Sequence, residues 1–160
     1  MKLRKRPFPG TVSDAVTERE TKNRKLARKA AAEGFVLLKN DEHFLPLPKG
    51  IRIGLYGAGA IKTIKGGTGS GDVNERDCVN IYQGMINAGY EVTSKKWLDD
   101  YDAQYIQARE NWRDKIFKSM PEYDNNFFRA YSAAQFQMPC GSAIDVEAAR
   151  ADGADIAIFV

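Results

Sequence analysis

The chain has 160 residues, of which 43% are hydrophobic and 11% aromatic, and its formal net charge is +3. This apolar content is enough for a folded core, so it argues against a disordered chain, and the length predicts one domain or a piece of a larger one. No segment approaches the roughly twenty apolar residues of a membrane helix, and Pro7 and Pro9 interrupt the basic amino terminus where a secretory signal needs an apolar run. We therefore expect a soluble cytoplasmic protein with reduced thiols and no membrane partner.

The side chains that bind metals are few and widely separated. Cys78 and Cys140 lie far apart, and His43, the single histidine, stands in an Asp-Glu-His turn. Two distant thiols form no zinc motif, and a Ser/His/Asp triad would have to use His43. We predict neither a metal site nor a cofactor.

Positive charge is concentrated in the first thirty residues. Residues 1–11 are predicted to form an irregular basic arm. Such a run can contact nucleic acid, but no aromatic stacking pattern or nucleic-acid motif accompanies it. We therefore expect a solvated arm and no nucleic-acid partner.

Local patterns predict a helix and a strand after the arm. Residues 13–33 have a helical composition with a narrow apolar stripe, and Gly34 stands where a helix commonly ends. Residues 35–38, FVLL, predict a short buried strand. Residues 45–48, LPLP, predict a stiff connection, because proline cannot donate a hydrogen bond within a sheet.

The central stretch of the chain is an apolar run followed by two glycine-rich segments. Residues 51–56, IRIGLY, lie between Gly50 and Gly57 and predict a buried strand of an α/β sheet. Ligands of open α/β sheets bind beyond the carboxyl ends of the strands, and glycines let backbone amides approach a ligand closely. A mobile surface loop is the alternative reading of the second segment. Its candidate substrate-binding residues are Lys65, Gly66, Gly67, Thr68, Gly69, Ser70 and Asp72.

Residue types in this segment argue against a nucleotide site. A phosphate-binding P-loop needs Lys and then Ser or Thr after its last glycine, where this chain has Asp72 and Val73. Gly57 and Gly59 match the first two glycines of a dinucleotide fingerprint, but Lys62 occupies the third position. The pattern favours a neutral polyhydroxyl ligand.

The remaining patterns complete a βαβ unit and add helices. Asn74 or Asp77 is predicted to cap a helix that ends at Gly89, and residues 90–93 predict a strand parallel to the first. Apolar residues at spacings of three and four predict a helix over residues 97–118, whose aromatic side chains form a packing stripe or a ligand platform. Residues 121–141 look irregular, and a short helix over 145–151 precedes a final apolar strand at 156–160.

These elements predict an α/β fold, a partial three-layer α/β/α sandwich with a mainly parallel sheet that is incomplete at its C-terminal end. Residues 156–160 form an apolar strand that would leave the sheet edge bare. We therefore expect a fragment of a longer protein, and a homodimer could form through the exposed apolar surface.

Three segments in order resemble one family. They are ARKAAAEGFVLLKND at 27–41, FLPLPKGIRIGLYG at 44–57 and KGGTGSGDVN at 65–74. This combination is similar to the α/β-sandwich domain of family 3 glycoside hydrolases, the β-glucosidase group, and ADGADIAIFV at 151–160 extends the match. The resemblance implies that residues 12–160 are the N-terminal part of that domain, with 95–141 as a helical insertion.

The resemblance implies a retaining glycosidase that removes terminal non-reducing β-linked sugars. In the family a barrel domain supplies the Asp nucleophile, and the sandwich supplies the Glu acid/base from a loop after a strand like 156–160; this chain contains neither. Here the sandwich motifs come first, as in permuted members in which the barrel follows. The resemblance thus implies an inactive piece without catalytic residues, whose partners are a carbohydrate substrate and the missing barrel.

The chemistry gives the same expectation independently. Retaining hydrolysis needs two carboxyls about 5–5.5 Å apart. Asp72, Glu75 and Asp77 lie near the glycine segment, but a helix cap and polar loop positions explain them better. The alternative is a stand-alone carbohydrate-binding or protein-interaction α/β domain; a nucleotide-binding domain is the third hypothesis.

Overall fold

A computed structural model describes residues 13–66, 71 and 77–160. The chain divides into two units, residues 1–46 and residues 47–160, and each is described by itself. The predicted basic arm, residues 1–11, lies outside the described residues.

Within residues 13–46, the described part of the first unit, the long helix is α1 at Glu18–Gly34. It begins later than predicted because Thr17 forms a capping box: its hydroxyl oxygen accepts from the Glu20 amide at 3.2 Å, and the Glu20 carboxylate accepts from the Thr17 amide at 2.7 Å. No residue of α1 is buried. Gly34 is the last helical residue and Phe35 is the C-cap, so the glycine lies two positions before the C′ position that it commonly occupies.

The predicted buried strand at residues 35–38 was wrong. Its four side chains are between 61% and 92% exposed, and no strand of the described sheet pairs with the segment. A 3-10 turn at Asp41–His43 follows, as the turn residues predicted. The Asn40 side chain closes this turn, since it donates to the Leu45 carbonyl at 2.9 Å and accepts from the Leu45 amide at 2.8 Å.

The second unit is built on a three-stranded parallel sheet in the order β2-β1-β3. The strands are β1 at Arg52–Tyr56, β2 at Glu91–Val92 and β3 at Ile156–Phe159. Ile53 is opposite both Val92 and Ile156 in the register. Residues 53–56 are all buried, so both faces of the central strand are covered. The predicted α/β class with a parallel sheet is confirmed.

In the described part of the crossover from β1 to β2, the helices are α2 at Ala58–Ile61 and α3 at Ile81–Asn87. The prediction that Asp77 caps α3 was wrong: the Asn80 side chain accepts from the Gln83 amide at 2.8 Å. Asn74, the other candidate cap, lies outside the described residues. Gly89 ends the helical turn with φ +87°, as predicted.

The long helix is confirmed as α4 at Lys95–Ser119, and its apolar stripe packs. Leu98 and Tyr101 are buried, and so is Ile116 near the other end. The section 121–141 is more regular than predicted, because a 3-10 turn at Met120–Tyr123 leads into α5 at Phe127–Ala133. The Trp112 indole donates to the Ala134 carbonyl, so this section folds back onto α4.

The last elements agree with their local patterns. A short helix, α6, spans Val146–Ala151, and Gly153 with φ +77° leads into β3. None of the helices within the described ranges is both long enough and apolar enough to cross a membrane.

A buried serine extends the sheet where β2 ends. Ser94 is 1% exposed, and its hydroxyl donates to the Leu55 carbonyl at 2.6 Å and accepts from the Leu55 amide at 2.8 Å. The side chain therefore replaces one backbone rung of the ladder and allows the chain to turn into α4 directly after β2.

Candidate functional site

The strand order locates the candidate site at the carboxyl ends of β1 and β3. The chain leaves β1 for a neighbour on one side, β2, and then returns to a neighbour on the other side, β3. In open α/β sheets a ligand binds outside the carboxyl ends of the strands where the connection reverses direction in this way. Tyr56 and Phe159 pair across this switch point.

A close backbone junction joins the two strand ends. The Val160 amide donates to the Tyr56 carbonyl at 2.9 Å, and the Val160 carbonyl accepts from the Gly59 amide at 3.3 Å. Gly57 lies between them with φ +95°, and a Cβ at this position would overlap the Val160 carbonyl oxygen. Only glycine can adopt this positive φ and also leave room for the Val160 carbonyl oxygen. The sequence predicted the turn at Gly57. It did not predict the contact with Val160, because the two residues are distant in the chain.

The glycine segment begins after α2, and only part of it is described. Lys65, Gly66 and Gly71 are described; the other predicted binding residues, Gly67, Thr68, Gly69, Ser70 and Asp72, lie outside the described residues. Gly66 and Gly71 lie backbone against backbone: a Cβ on Gly66 would be 2.9 Å from the Gly71 carbonyl oxygen, and a Cβ on Gly71 would overlap the Gly66 oxygen. The structure therefore requires glycine at both positions.

Two polar side chains hold the stems on either side of the segment together. The Thr63 hydroxyl donates to the Gly59 carbonyl at 2.6 Å and accepts from the Ile81 amide at 3.2 Å. Asn80, besides capping α3, donates from its amide to the Ile61 carbonyl at 3.1 Å. The segment thus starts and ends on a hydrogen-bonded base, which the pattern of glycines did not predict.

A charged residue connects this base to α4. The Lys62 ammonium forms an ion pair with Asp102, and it lies 4.8 Å from the centroid of the Tyr105 ring. The Lys62 and Asp102 side chains are 26% and 35% exposed. In the sequence, Lys62 argues only against a dinucleotide site, because an ion pair between residues forty positions apart leaves no local pattern.

Aromatic rings line the switch point in a continuous row. The Tyr56 ring stacks on Phe159 at 5.6 Å between centroids and meets Trp97 edge-on at 5.7 Å, and Trp97 stacks on Tyr101 at 5.6 Å. Burial raises the pKa of the Tyr56 phenol and also that of Tyr101. Both phenols are therefore neutral at pH 7 and are not bases there.

The described acids at this end of the sheet do not form a metal or acid/base cluster. Asp77 is exposed in the stem, and Asp72 and Glu75 lie outside the described residues. Within residues 13–66, 71 and 77–160, no group of three His, Cys, Asp or Glu side chains could hold a metal ion. What the described site offers a ligand is mainly backbone, hydroxyl and aromatic surface.

Comparisons with known sequences agree on one family. Residues 35–160 match the profile described as the glycosyl hydrolase family 3 C-terminal domain. The chain is 48% identical over 71 residues to β-glucosidase A of Butyrivibrio fibrisolvens, which covers 42% of this chain and 9% of that protein. It is 38% identical over 77 residues to thermostable β-glucosidase B of Acetivibrio thermocellus, which covers 48% of this chain and 10% of that protein. The chain therefore spans about a tenth of the length of the curated relatives it matches.

A solved structure is similar as well. β-Glucosidase 3B from Thermotoga neapolitana, in complex with α-D-glucose, aligns with a TM-score of 0.50 and 40% sequence identity. The alignment covers 57% of this chain and 13% of that protein. At 40% identity, the two proteins are similar in sequence as well as in fold.

Proposed function

The chain belongs to the C-terminal domain family of glycosyl hydrolase family 3, and we propose on that basis that it is part of a retaining β-glucosidase-like enzyme. That enzyme removes terminal non-reducing β-linked sugars. Residues 12–160 are the N-terminal part of its α/β-sandwich domain, with 95–141 as a helical insertion, and a barrel domain of the same polypeptide completes the active site.

The contribution of this chain is the glycine segment, residues 65–72, which contacts the sugar. The observation that supports this proposal is the position of the two described stems that flank the segment. They follow β1, beyond the strand end that faces β3 across the switch point, and Thr63 and Asn80 join them by hydrogen bonds. Backbone amides and the hydroxyls of Thr68 and Ser70 suit a neutral polyhydroxyl ligand. The close approach of Gly66 to Gly71 supports this, because it brings main-chain polar groups together without side chains.

Without its barrel the chain binds sugar but does not hydrolyse it. A retaining mechanism needs a nucleophilic carboxylate and an acid/base carboxyl about 5–5.5 Å apart. Of the acids near the glycine segment, Asp77 is exposed, and Asp72 and Glu75 suit polar loop or first-turn positions better than a catalytic pair.

Sugar binding is tested by titrating methyl β-D-glucopyranoside into the ¹⁵N-labelled chain and following the amide resonances of Gly66 and Gly71. We expect chemical-shift changes at these amides and none with glycerol at the same concentration. Gly66→Ala must displace the Gly71 carbonyl and should abolish the changes, whereas Gly84→Ala, which meets no atom within 4 Å, should retain them. Unchanged Gly66 and Gly71 resonances in the wild-type chain would contradict the proposed role of the segment.

The catalytic part of the proposal is tested by two further observations. The purified chain should release no nitrophenol from p-nitrophenyl β-D-glucopyranoside, and turnover that Asp72→Ala abolishes would refute the inactive-piece hypothesis. The natural gene, read beyond the codon for Val160, should encode a Gly-Glu segment and a barrel with an Asp nucleophile. A gene without them would leave the stand-alone carbohydrate-binding domain as the explanation of the family match.

A further inference from the structure

The ion pair between Lys62 and Asp102 differs from the other pairs on α4. Lys95–Asp99 and Lys96–Asp100 are i,i+4 pairs on the helix surface, with side chains between 53% and 89% exposed. The Lys62 and Asp102 side chains are only 26% and 35% exposed, and they join two elements forty residues apart. This pair therefore fixes the position of one element against another.

Energetics also favour a geometric role for this pair. Partial burial removes water from both charges, so the Coulomb attraction is largely offset by the cost of desolvation. The Tyr105 ring lies 4.8 Å from the ammonium and restricts where the charge can sit. A contact of this kind contributes little net stability but strongly selects one arrangement.

Lys62 and Asp102 are both placed so that their contact can fix the position of the first stem of the glycine segment. Lys62 is the C-cap of α2 and directly precedes Thr63, whose hydroxyl joins the two stems. Asp102 directly follows Tyr101, which is fully buried and stacked on Trp97. One partner is thus on the first stem of the glycine segment, and the other is on α4 next to a buried aromatic residue.

We propose that Lys62 and Asp102 are positioning residues, which hold the first stem of the glycine segment against α4 in its sugar-binding arrangement. The inference rests on the proposed function for the choice of ligand. The positioning itself is a property of the ligand-free chain and can be measured separately.

Asp102→Asn tests the proposal, and Asp99→Asn is the matched control because it breaks a surface pair on the same helix. In Asp102→Asn we expect amide hydrogen exchange of residues 62–66 to become about three- to tenfold faster, because Lys62 loses its ionic partner and the stem opens more often; this factor corresponds to about 0.6–1.4 kcal/mol in the local equilibrium. The melting temperature should change little. Asp99→Asn should leave exchange in this stem at the wild-type rate. Combining Lys62→Asp with Asp102→Lys restores the opposite charges and should return exchange towards that rate.

The outcomes separate this inference from the proposed function. Wild-type exchange at residues 62–66 in Asp102→Asn, or equal acceleration in Asp99→Asn, would overturn the positioning role. If Asp102→Asn does not fold, Lys62→Gln provides the same measurement from the other partner. Titration with methyl β-D-glucopyranoside should then show at least threefold weaker binding in the variant. If the wild-type chain binds no sugar while exchange still accelerates, the proposed function fails and the positioning role stands.

Discussion

Replacing Ser94 by alanine should destabilise the second unit more than its small change in volume suggests. The hydroxyl donates to the Leu55 carbonyl at 2.6 Å and accepts from the Leu55 amide at 2.8 Å, and Leu55 is fully buried. The preceding rung is an ordinary one, in which the Thr93 amide donates to the Ile53 carbonyl at 2.9 Å. Ser94→Ala removes the next rung completely and leaves two buried main-chain groups without partners.

The expected cost follows from these two groups. An unpaired buried polar group costs about 1–3 kcal/mol, so two give a loss of about 2–6 kcal/mol in the free energy of unfolding. Since single domains are stable by about 5–15 kcal/mol, this is a large fraction of the total. The melting temperature should fall by roughly 10 °C.

Urea unfolding followed by far-ultraviolet circular dichroism measures this loss. Ser132→Ala is the control, because Ser132 is an exposed serine on α5, and its replacement should change stability by less than about 0.5 kcal/mol. Ser94→Cys retains a weak donor and acceptor and should be intermediate. If Ser94→Ala is no less stable than Ser132→Ala, Ser94 does not serve as a rung of the sheet.

Three further substitutions test separate contacts by the same unfolding assay. Gly57→Ala places a side chain at φ +95° and against the Val160 carbonyl, so it should lower the free energy of unfolding by more than about 2 kcal/mol. Its control, Gly84→Ala in α3, should raise the free energy of unfolding by about 0.5–1 kcal/mol. Equal effects of the two substitutions would contradict the backbone junction between Gly57 and Val160. Tyr101→Phe should be neutral or stabilising, because the buried hydroxyl has no hydrogen-bond partner in the described part of the chain; a clear loss would reveal such a partner. Hydrogen bonds from the Arg52 guanidinium hold the pKa of Asp155 below its usual range. Asp155→Asn should therefore destabilise the chain at pH 7, and this deficit should shrink by pH 3 as the wild-type carboxylate protonates; a deficit independent of pH would contradict the pair.

The sequence was sufficient where structure depends on local patterns. The run 51–56 and the strand at 156–160 are apolar and short, and each is bounded by glycine or turn residues, so their type followed from composition. The parallel pairing of the first strand with residues 90–93 followed from the helix between them. The spacing of apolar residues in α4 was sufficient to predict both its length and its packing face.

Contacts between distant residues could not be read from such patterns. The apolar composition of residues 35–38 predicted a strand, but a strand also needs a neighbour, and no described strand pairs with it. Asn80 was overlooked as a cap because Asp77 has an equally suitable side chain, and only the start of the helix decides between them. The roles of Ser94 and Asp102 were not predicted for the same reason, since each side chain bonds to a residue about forty positions away.

The position of α4 explains why this helix matters for the candidate site. Its first turns carry Trp97 and Tyr101, which continue the aromatic row from Tyr56, and the next residue, Asp102, holds the stem of the glycine segment. Its far end carries Ile116, which packs with α5 in a separate apolar cluster. A helix transmits displacement along its axis because its backbone hydrogen bonds keep its length fixed. Changes in the packing of α5 should therefore reach the stem of the glycine segment through α4, and we expect substitutions there to alter the proposed sugar binding without contacting the sugar.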